Sequence, residues 1–331
     1  MGNVRRILFT IMSLLFVLVG CESDSSMKSE SEKIQIITTL FPQYDFARVI
    51  AGDKADVTLL LPPGMEAHSY EPTPADMIKI NKADLFIYTG ESMEQWAHTM
   101  IESIDSDSVY VLDVSNDVSF LAPNQTEECE EHEHDHDEED EHGHDEEDEH
   151  GHEEEEGHYH AYDPHIWTSP KNAMIMVNNI LEALCEIDPE NSTYYEENAT
   201  NYLSELEELD DEFEEVVDNA KRDTIYHGGR FAMQYLANEY DIDYVAAPFE
   251  AEPSAALVAQ MISNIKEQQI PAIYYEELVD PKIAQMISDE TGAQMLLLHS
   301  CHNVSKEDFD QGVTYLSLMK QNVENLRIGL N

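Results

Sequence analysis

"IQIITTLFPQYDFARVIAGDKADVTLLL", residues 34–61, decides the fold. Its opening "IQIITTL" is a short β-branched run that reads as a strand. "YDFARVIAG" then places apolar residues at helical spacing and stops on a glycine, and "ADVTLLL" is a strand again. The alternation continues through helix "PADMIKINK", strand "DLFIYTG", helix "MEQWAHTMIESI" and strand "SVYVLDV". Strands that recur after each helix predict a parallel sheet covered by helices on both faces.

A second series follows in the C-terminal third: "TIYHG", "FAMQYLANEY", "YVAAP", "SAALVAQMISNIKEQ", "AIYYEE", "PKIAQMISDETG", "QMLLLHS" and a last helix from about Gly312. Between the two series lie a helix from about Pro170 to Glu186 and a strongly charged one from about Glu190 to Asn219. The second carries Tyr195, Tyr202, Leu206, Leu209, Phe213 and Val216 on one narrow apolar stripe. At 1.5 Å per residue, roughly thirty residues reach about 45 Å, enough to bridge two domains. The expected architecture is α/β: an N-terminal lobe over 34–189, a long rigid linking helix over 190–219 and a C-terminal lobe over 220–331. The expected ligand site is the cleft between the lobes.

The chain ahead of residue 34 reads differently. Arg5 and Arg6 precede the short apolar run "ILFTIMSLLFVLV", the pattern of an export signal over residues 1–20. The run ends "LVGC", which resembles a bacterial lipobox and makes Cys21 the expected lipidated residue, anchoring the protein to a membrane. Residues 21–33 are polar and aperiodic, a flexible tether. The remaining Cys129, Cys185 and Cys301 allow at most one disulfide, so this is no disulfide scaffold.

Charge is the other strong signal. Lys and Arg total 17 against 70 Asp and Glu, a formal net charge of -53, which argues against nucleic acid as a partner and for cations. The acid concentrates in a segment over 124–160, expected to be disordered, that interrupts the first lobe. There His132, His134, His136, His142, His144, His150, His152, His158 and His160 alternate with carboxylates and no Lys or Arg. Such a segment is suited to collecting metal ions weakly and releasing them readily, because its ordering on binding costs entropy.

Outside it, His68, His227, His299 and His302 follow predicted strands, and in an open α/β sheet ligands bind beyond the carboxyl ends of strands. His98 reads as an ordinary helix-face residue. The stretches "LPPGMEAHSYEPTPAD", "DPHIWTSPKNA", "EAEPSAALVAQMISNIKE", "VDPKIAQMISDETGA" and "YLSLMKQN" resemble the zinc/manganese solute-binding lipoproteins of bacterial ABC importers, the cluster A-I (cluster 9) type. The resemblance covers nearly everything from about Ile34 onward.

It implies capture of a metal ion outside the cytoplasm and its delivery to an ABC permease, without chemistry. Its first two ligands map to His68 and His165. The third maps to His227, although "YHGGRFA" departs from the commoner His-Asp-Ala-Phe pattern, and the fourth to His302, where many zinc members have a carboxylate. His299 and Cys301 stand as alternative fourth ligands. A His/acid insertion before the second motif is typical of the zinc branch, and cell adhesion stands as a family-level role.

Imidazole suits zinc, whereas manganese prefers carboxylate and water oxygens, so Zn(II) is the expected cargo and manganese the alternative. Glu252, Glu276 and Glu277 are expected to orient the ligand imidazoles. The chain offers no His-Glu-x-x-His helix, no Gly-x-Ser-x-Gly turn and no Gly-rich phosphate loop, so a metallohydrolase is the weaker reading and no enzyme is expected. A zinc buffer acting through the acidic segment is the other alternative.

Overall fold

The computed structural model describes residues 33–67, 70–90, 92–104, 108–122, 162–247 and 253–331, with the side chains of 98 and 99 excepted. The expected signal, Cys21, the His/acid segment and His98's side chain therefore lie outside the described residues. So do His68 and Glu252.

The N-terminal lobe is built from β1 (Ile34–Thr38), α1 (Phe41–Ala51), β2 (Ala55–Leu59), α2 (Pro74–Ile80), β3 (Leu85–Tyr88), α3 (Ala97–Ile101) and β4 (Tyr110–Asp113). Its strands pair in the order β2-β1-β3-β4, all parallel, with Ile34 opposite Ala55 and Ile36 opposite Leu85. Of the last three β1 residues, Ile36 and Thr38 are fully buried and Ile37 nearly so, because both faces of the sheet are covered.

After α4 (Pro170–Ile187) and α5 (Ser192–Asp218) come β5 (Thr224–Arg230), α6 (Gln234–Glu239), β6 (Asp243–Ala247), α7 (Ala255–Gln268), β7 (Ala272–Tyr275), α8 (Lys282–Thr291) and β8 (Gln294–Leu297). The short α9 (Lys306–Gln311) and the closing α10 (Tyr315–Gly329) complete the chain. The second sheet has the same order, β6-β5-β7-β8, again parallel. Strand order therefore reverses between β1 and β3 in one lobe and between β5 and β7 in the other, and a crevice opens at each such switch.

One expected element is shorter than its sequence pattern. The helix read over "MEQWAHTMIESI" forms only at Ala97–Ile101, because Glu94 turns inward instead. Its carboxyl meets Thr39 Oγ1 at 2.5 Å and accepts the backbone N–H of Thr89 at 3.1 Å, so the start of that segment belongs to a buried turn.

The linking helix α5 spans 27 residues, about 40 Å. Tyr195, Ala199, Tyr202, Leu206, Leu209, Phe213 and Val216 form its buried stripe. Along it, Tyr202 packs on Phe46 of α1 with ring centroids 5.8 Å apart, and Phe213 on Tyr240 at 5.1 Å. Burying each such side chain contributes about 1.5–3 kcal/mol. The stripe belongs to one continuous apolar core that runs from Ile36 of β1 to Tyr274 of β7 and Leu326 of α10. Asp45 of α1, fully buried, accepts the Tyr315 N–H at 2.8 Å and pairs with Arg48, so the first turn of α10 is pinned to the N-terminal lobe.

Candidate metal centre

His165 begins a single 3-10 turn, Ile166–Thr168, ahead of α4. Asp163 Oδ1 accepts both the backbone N–H and the ring Nδ1 of His165 at 2.9 Å, with both side chains about 1% exposed. An ionised carboxylate only accepts, so the imidazole proton sits on Nδ1 and the electron pair on Nε2, the arrangement that suits a metal ligand. The second oxygen, Oδ2, is buried without a hydrogen-bond partner. Asp163 was not anticipated from the sequence; its signal was the carboxylate two residues ahead of the histidine in "DPH".

His302 lies beyond β8, with its ring centroid 6.5 Å from that of His165. Zinc–nitrogen bonds of about 2.0–2.1 Å place two rings sharing a tetrahedral ion roughly 5 Å apart, so holding one ion draws this pair closer by about an ångström or more. Glu277 sits two residues past β7. Its Oε1 accepts the Ser300 hydroxyl at 2.6 Å and its Oε2 the Ser300 N–H at 2.9 Å, and His302 Nδ1 stands 3.4 Å from Oε1. Burial alone raises the Glu277 carboxyl, but the His299 and His302 rings and the two Ser300 hydrogen bonds bring it below its ordinary value. Burial also lowers His302, so a neutral imidazole beside an ionised carboxylate is the favoured pair.

His227 is in β5, opposite Tyr274 of β7 at the switch point. It is 1% exposed, and burial pushes its imidazole down to about 4, leaving it neutral and competent as a ligand at pH 7. Phe231 meets its ring edge-on at 5.7 Å, and the Gly229 N–H approaches its Nδ1 at 3.3 Å. The adjacent Gly228 has a structural cause: a Cβ there would stand 2.7 Å from Cα of Ala284, so α8 packs directly on the β5 backbone.

The other expected residues take different places. His299 Nδ1 accepts the Cys301 N–H at 2.9 Å. Cys301 is fully buried, and burial, with Glu277 and Asp45 adding, pushes its thiol well above the ordinary range, against the thiolate that metal binding needs. Neither Cys185 nor Cys301 is in a disulfide. Glu276 stands 3.6 Å from Arg230. Among the described residues, no three His, Cys, Asp or Glu side chains come together closely enough to hold a metal ion.

The chain leading to His68 is fixed as far as Ala67. Gly64 N–H donates to the Val304 carbonyl at 2.7 Å, and the Asn303 amide donates to the carbonyls of Pro62 at 2.9 Å and Met65 at 2.7 Å. Trp167 Nε1–H donates to the Ser300 carbonyl at 2.6 Å, and the Tyr315 hydroxyl to the Trp167 carbonyl at 2.6 Å, so the His165 turn is held against the segment that carries His302.

Comparison with known proteins agrees with this architecture. Residues 36–329 match the family model ZnuA, described as zinc-uptake complex component A, periplasmic. The chain is 34% identical over 330 residues to the high-affinity zinc uptake system protein ZnuA of Bacillus subtilis, covering 98% of this chain and 97% of that one. It is also 34% identical over 331 residues to the zinc-binding lipoprotein AdcA of Streptococcus pneumoniae, covering 99% of this chain but spanning only 61% of that longer protein. The crystal structure of the Zn(II)-bound ZnuA-like domain of that AdcA superposes with a TM-score of 0.72 at 29% identity, covering 90% of this chain and 99% of that domain. With its two parallel-sheet lobes and a match that runs almost end to end, the chain belongs to the ZnuA family of solute-binding transport components.

Proposed function

We propose that this protein captures Zn(II) outside the cytoplasm, held by His68, His165, His227 and His302, and delivers it to an ABC permease. The observation that carries the reading is the convergence of His165 and His302, 6.5 Å apart by ring centroid and each backed by a buried carboxylate system, Asp163 in one case and Glu277 with Ser300 in the other. Two further features support it. The segment leading to His68 is hydrogen-bonded to the residues just after His302, and buried His227 stays neutral. An all-imidazole set favours zinc over manganese, and four protein ligands leave no open position for a reactive water, which favours binding without catalysis.

Residues 132–160 concentrate zinc near this site. Supporting that role, the described ends of the segment meet beside it: the Asp163 N–H donates to the Leu121 carbonyl at 3.0 Å, and Phe120 stacks on Tyr162 at 5.2 Å. Cys21, the last residue of "LVGC", carries the lipid that anchors the protein to the membrane outside the cytoplasm.

The test is metal content by mass spectrometry of the exported protein purified without added metal, as the parent, a chain lacking residues 130–160, and His68→Ala/His165→Ala. One zinc that survives the deletion and is lost in the double variant is expected. Zinc that leaves with the segment and ignores the two substitutions would make the protein a surface buffer instead.

A further inference from the structure

We propose that Ser300 is a positioning residue that fixes the proton of His302 on Nδ1 and so directs its Nε2 electron pair to the metal. In the same segment the Cys301 N–H holds His299 in the opposite tautomer. The functional half of this inference rests on the reading of His302 as a zinc ligand; the tautomers themselves rest on hydrogen-bond counting alone.

The count starts at Glu277. Its carboxylate can only accept, and its Oε1 receives the Ser300 hydroxyl at 2.6 Å. That hydroxyl has one hydrogen. Once it is given to Glu277, Ser300 Oγ offers only electron pairs to its other neighbour, Nδ1 of His302, with which it is in hydrogen-bond contact. His302 must therefore donate from Nδ1, which leaves Nε2 bare.

At His299 the direction is reversed. A backbone amide can only donate, and the Cys301 N–H points at Nδ1 of His299 from 2.9 Å. That nitrogen accepts, so a neutral ring carries its proton on Nε2; the Gly229 N–H makes the same kind of contact, longer at 3.3 Å, with Nδ1 of His227. The backbone is bent to make the His299 contact: Cys301 has φ 64, the left-handed region, which costs a non-glycine residue about 1–2 kcal/mol. The ring cannot simply swing away. The Asn322 side chain clamps the His299 backbone on both sides, accepting its N–H and donating to its carbonyl at 2.8 Å each. Trp167 holds the Ser300 carbonyl at 2.6 Å, so the hydroxyl stays between the carboxylate and the ring. Two imidazoles three positions apart are thus held in opposite tautomers by what lies against Nδ1.

The test uses the full exported chain with nitrogen-15 histidine, free of metal, at pH 7.5. Long-range proton–nitrogen correlation spectra report which ring nitrogen is protonated, with assignments from the signals missing in His299→Ala and His302→Ala. His302 protonated on Nδ1 and His299 on Nε2 are expected, and the reverse for His302 in the parent chain overturns the proposal. Zinc affinity by chelator competition should fall about 10- to 100-fold in Ser300→Ala, the range for removing a group that orients a ligand, and recover in Ser300→Thr. An unchanged affinity in Ser300→Ala, with the expected parent spectrum, overturns the role of Ser300. If His302→Ala itself leaves zinc binding intact, the ligand reading fails, while the parent spectrum still decides the tautomers.

Discussion

Glu94 is 3% exposed at the switch between β1 and β3, where burial favours a protonated carboxyl. Gln43 Oε1 receives the N–H groups of Thr39 at 2.9 Å and Leu40 at 3.1 Å, which fixes it as the oxygen, and the Thr39 hydroxyl donates to it at 2.8 Å. The Thr39 hydroxyl has one hydrogen for Gln43 Oε1 and for Glu94 Oε1 at 2.5 Å, so a proton on Glu94 lets both contacts be hydrogen bonds. Burial accounts for this by pushing the carboxyl from its ordinary 4.5 up to about 8. Between those values the folded chain keeps a proton that the unfolded chain has lost. Stability from this group is then full below about pH 4.5 and drains away as pH rises to about 8. Over that interval the loss amounts to about 5 kcal/mol at most. Glu94→Gln puts an N–H where the acid O–H stands. Urea unfolding at pH 5, 7 and 8.5 should show parent and variant nearly equal at pH 5, and the variant more stable by several kcal/mol at pH 8.5. Parallel pH curves for the two chains would refute the protonated carboxyl.

Three other outcomes are expected. Asp163→Asn should lower zinc affinity about 10- to 100-fold in chelator competition without abolishing folding, because it loosens the Nδ1 partner of His165. Gly228→Ala should lower the urea midpoint by an amount worth about 1–3 kcal/mol, since the new methyl meets Cα of Ala284 at 2.7 Å; an unchanged midpoint would mean that α8 does not pack on that backbone. His227, held at about 4, should stay neutral at pH 5, where an imidazole at 6.5 would lose about thirtyfold in metal affinity to protons. Its folded value lies below the unfolded one, so its contribution to stability is full above 6.5 and is lost as pH falls towards 4, and a nitrogen-15 titration of its ring reads the midpoint directly.

Much of the fold was legible because parallel strands covered on both faces leave continuous apolar runs, and the α5 stripe leaves a regular spacing in the sequence. What escaped was set by tertiary partners. The helix over residues 93–104 has adequate periodicity, but a buried carboxyl at Glu94 outweighs it. The short α9 was missed although Ser305 and Asp308 form a visible cap, with Ser305 Oγ accepting the Asp308 N–H at 3.1 Å. At the site, strand ends located His227, His299 and His302 without ranking them. Asp163 and Ser300 went unseen because a hydrogen-bond partner two residues from a ligand leaves no periodic trace.

The apolar core shared by the two lobes bears on how cargo leaves. A hinge that swung the lobes apart would strip water-excluding contacts from Tyr202, Leu206 and Leu209 along α5 and break the buried link from Asp45 to Tyr315. Those are costs of the size of the whole folding free energy. If the proposed site hands its ion to an acceptor, stepwise replacement of the imidazoles with the scaffold closed avoids those costs. Transfer rates would follow the basicity of the acceptor's donor groups more closely than any large change in molecular shape.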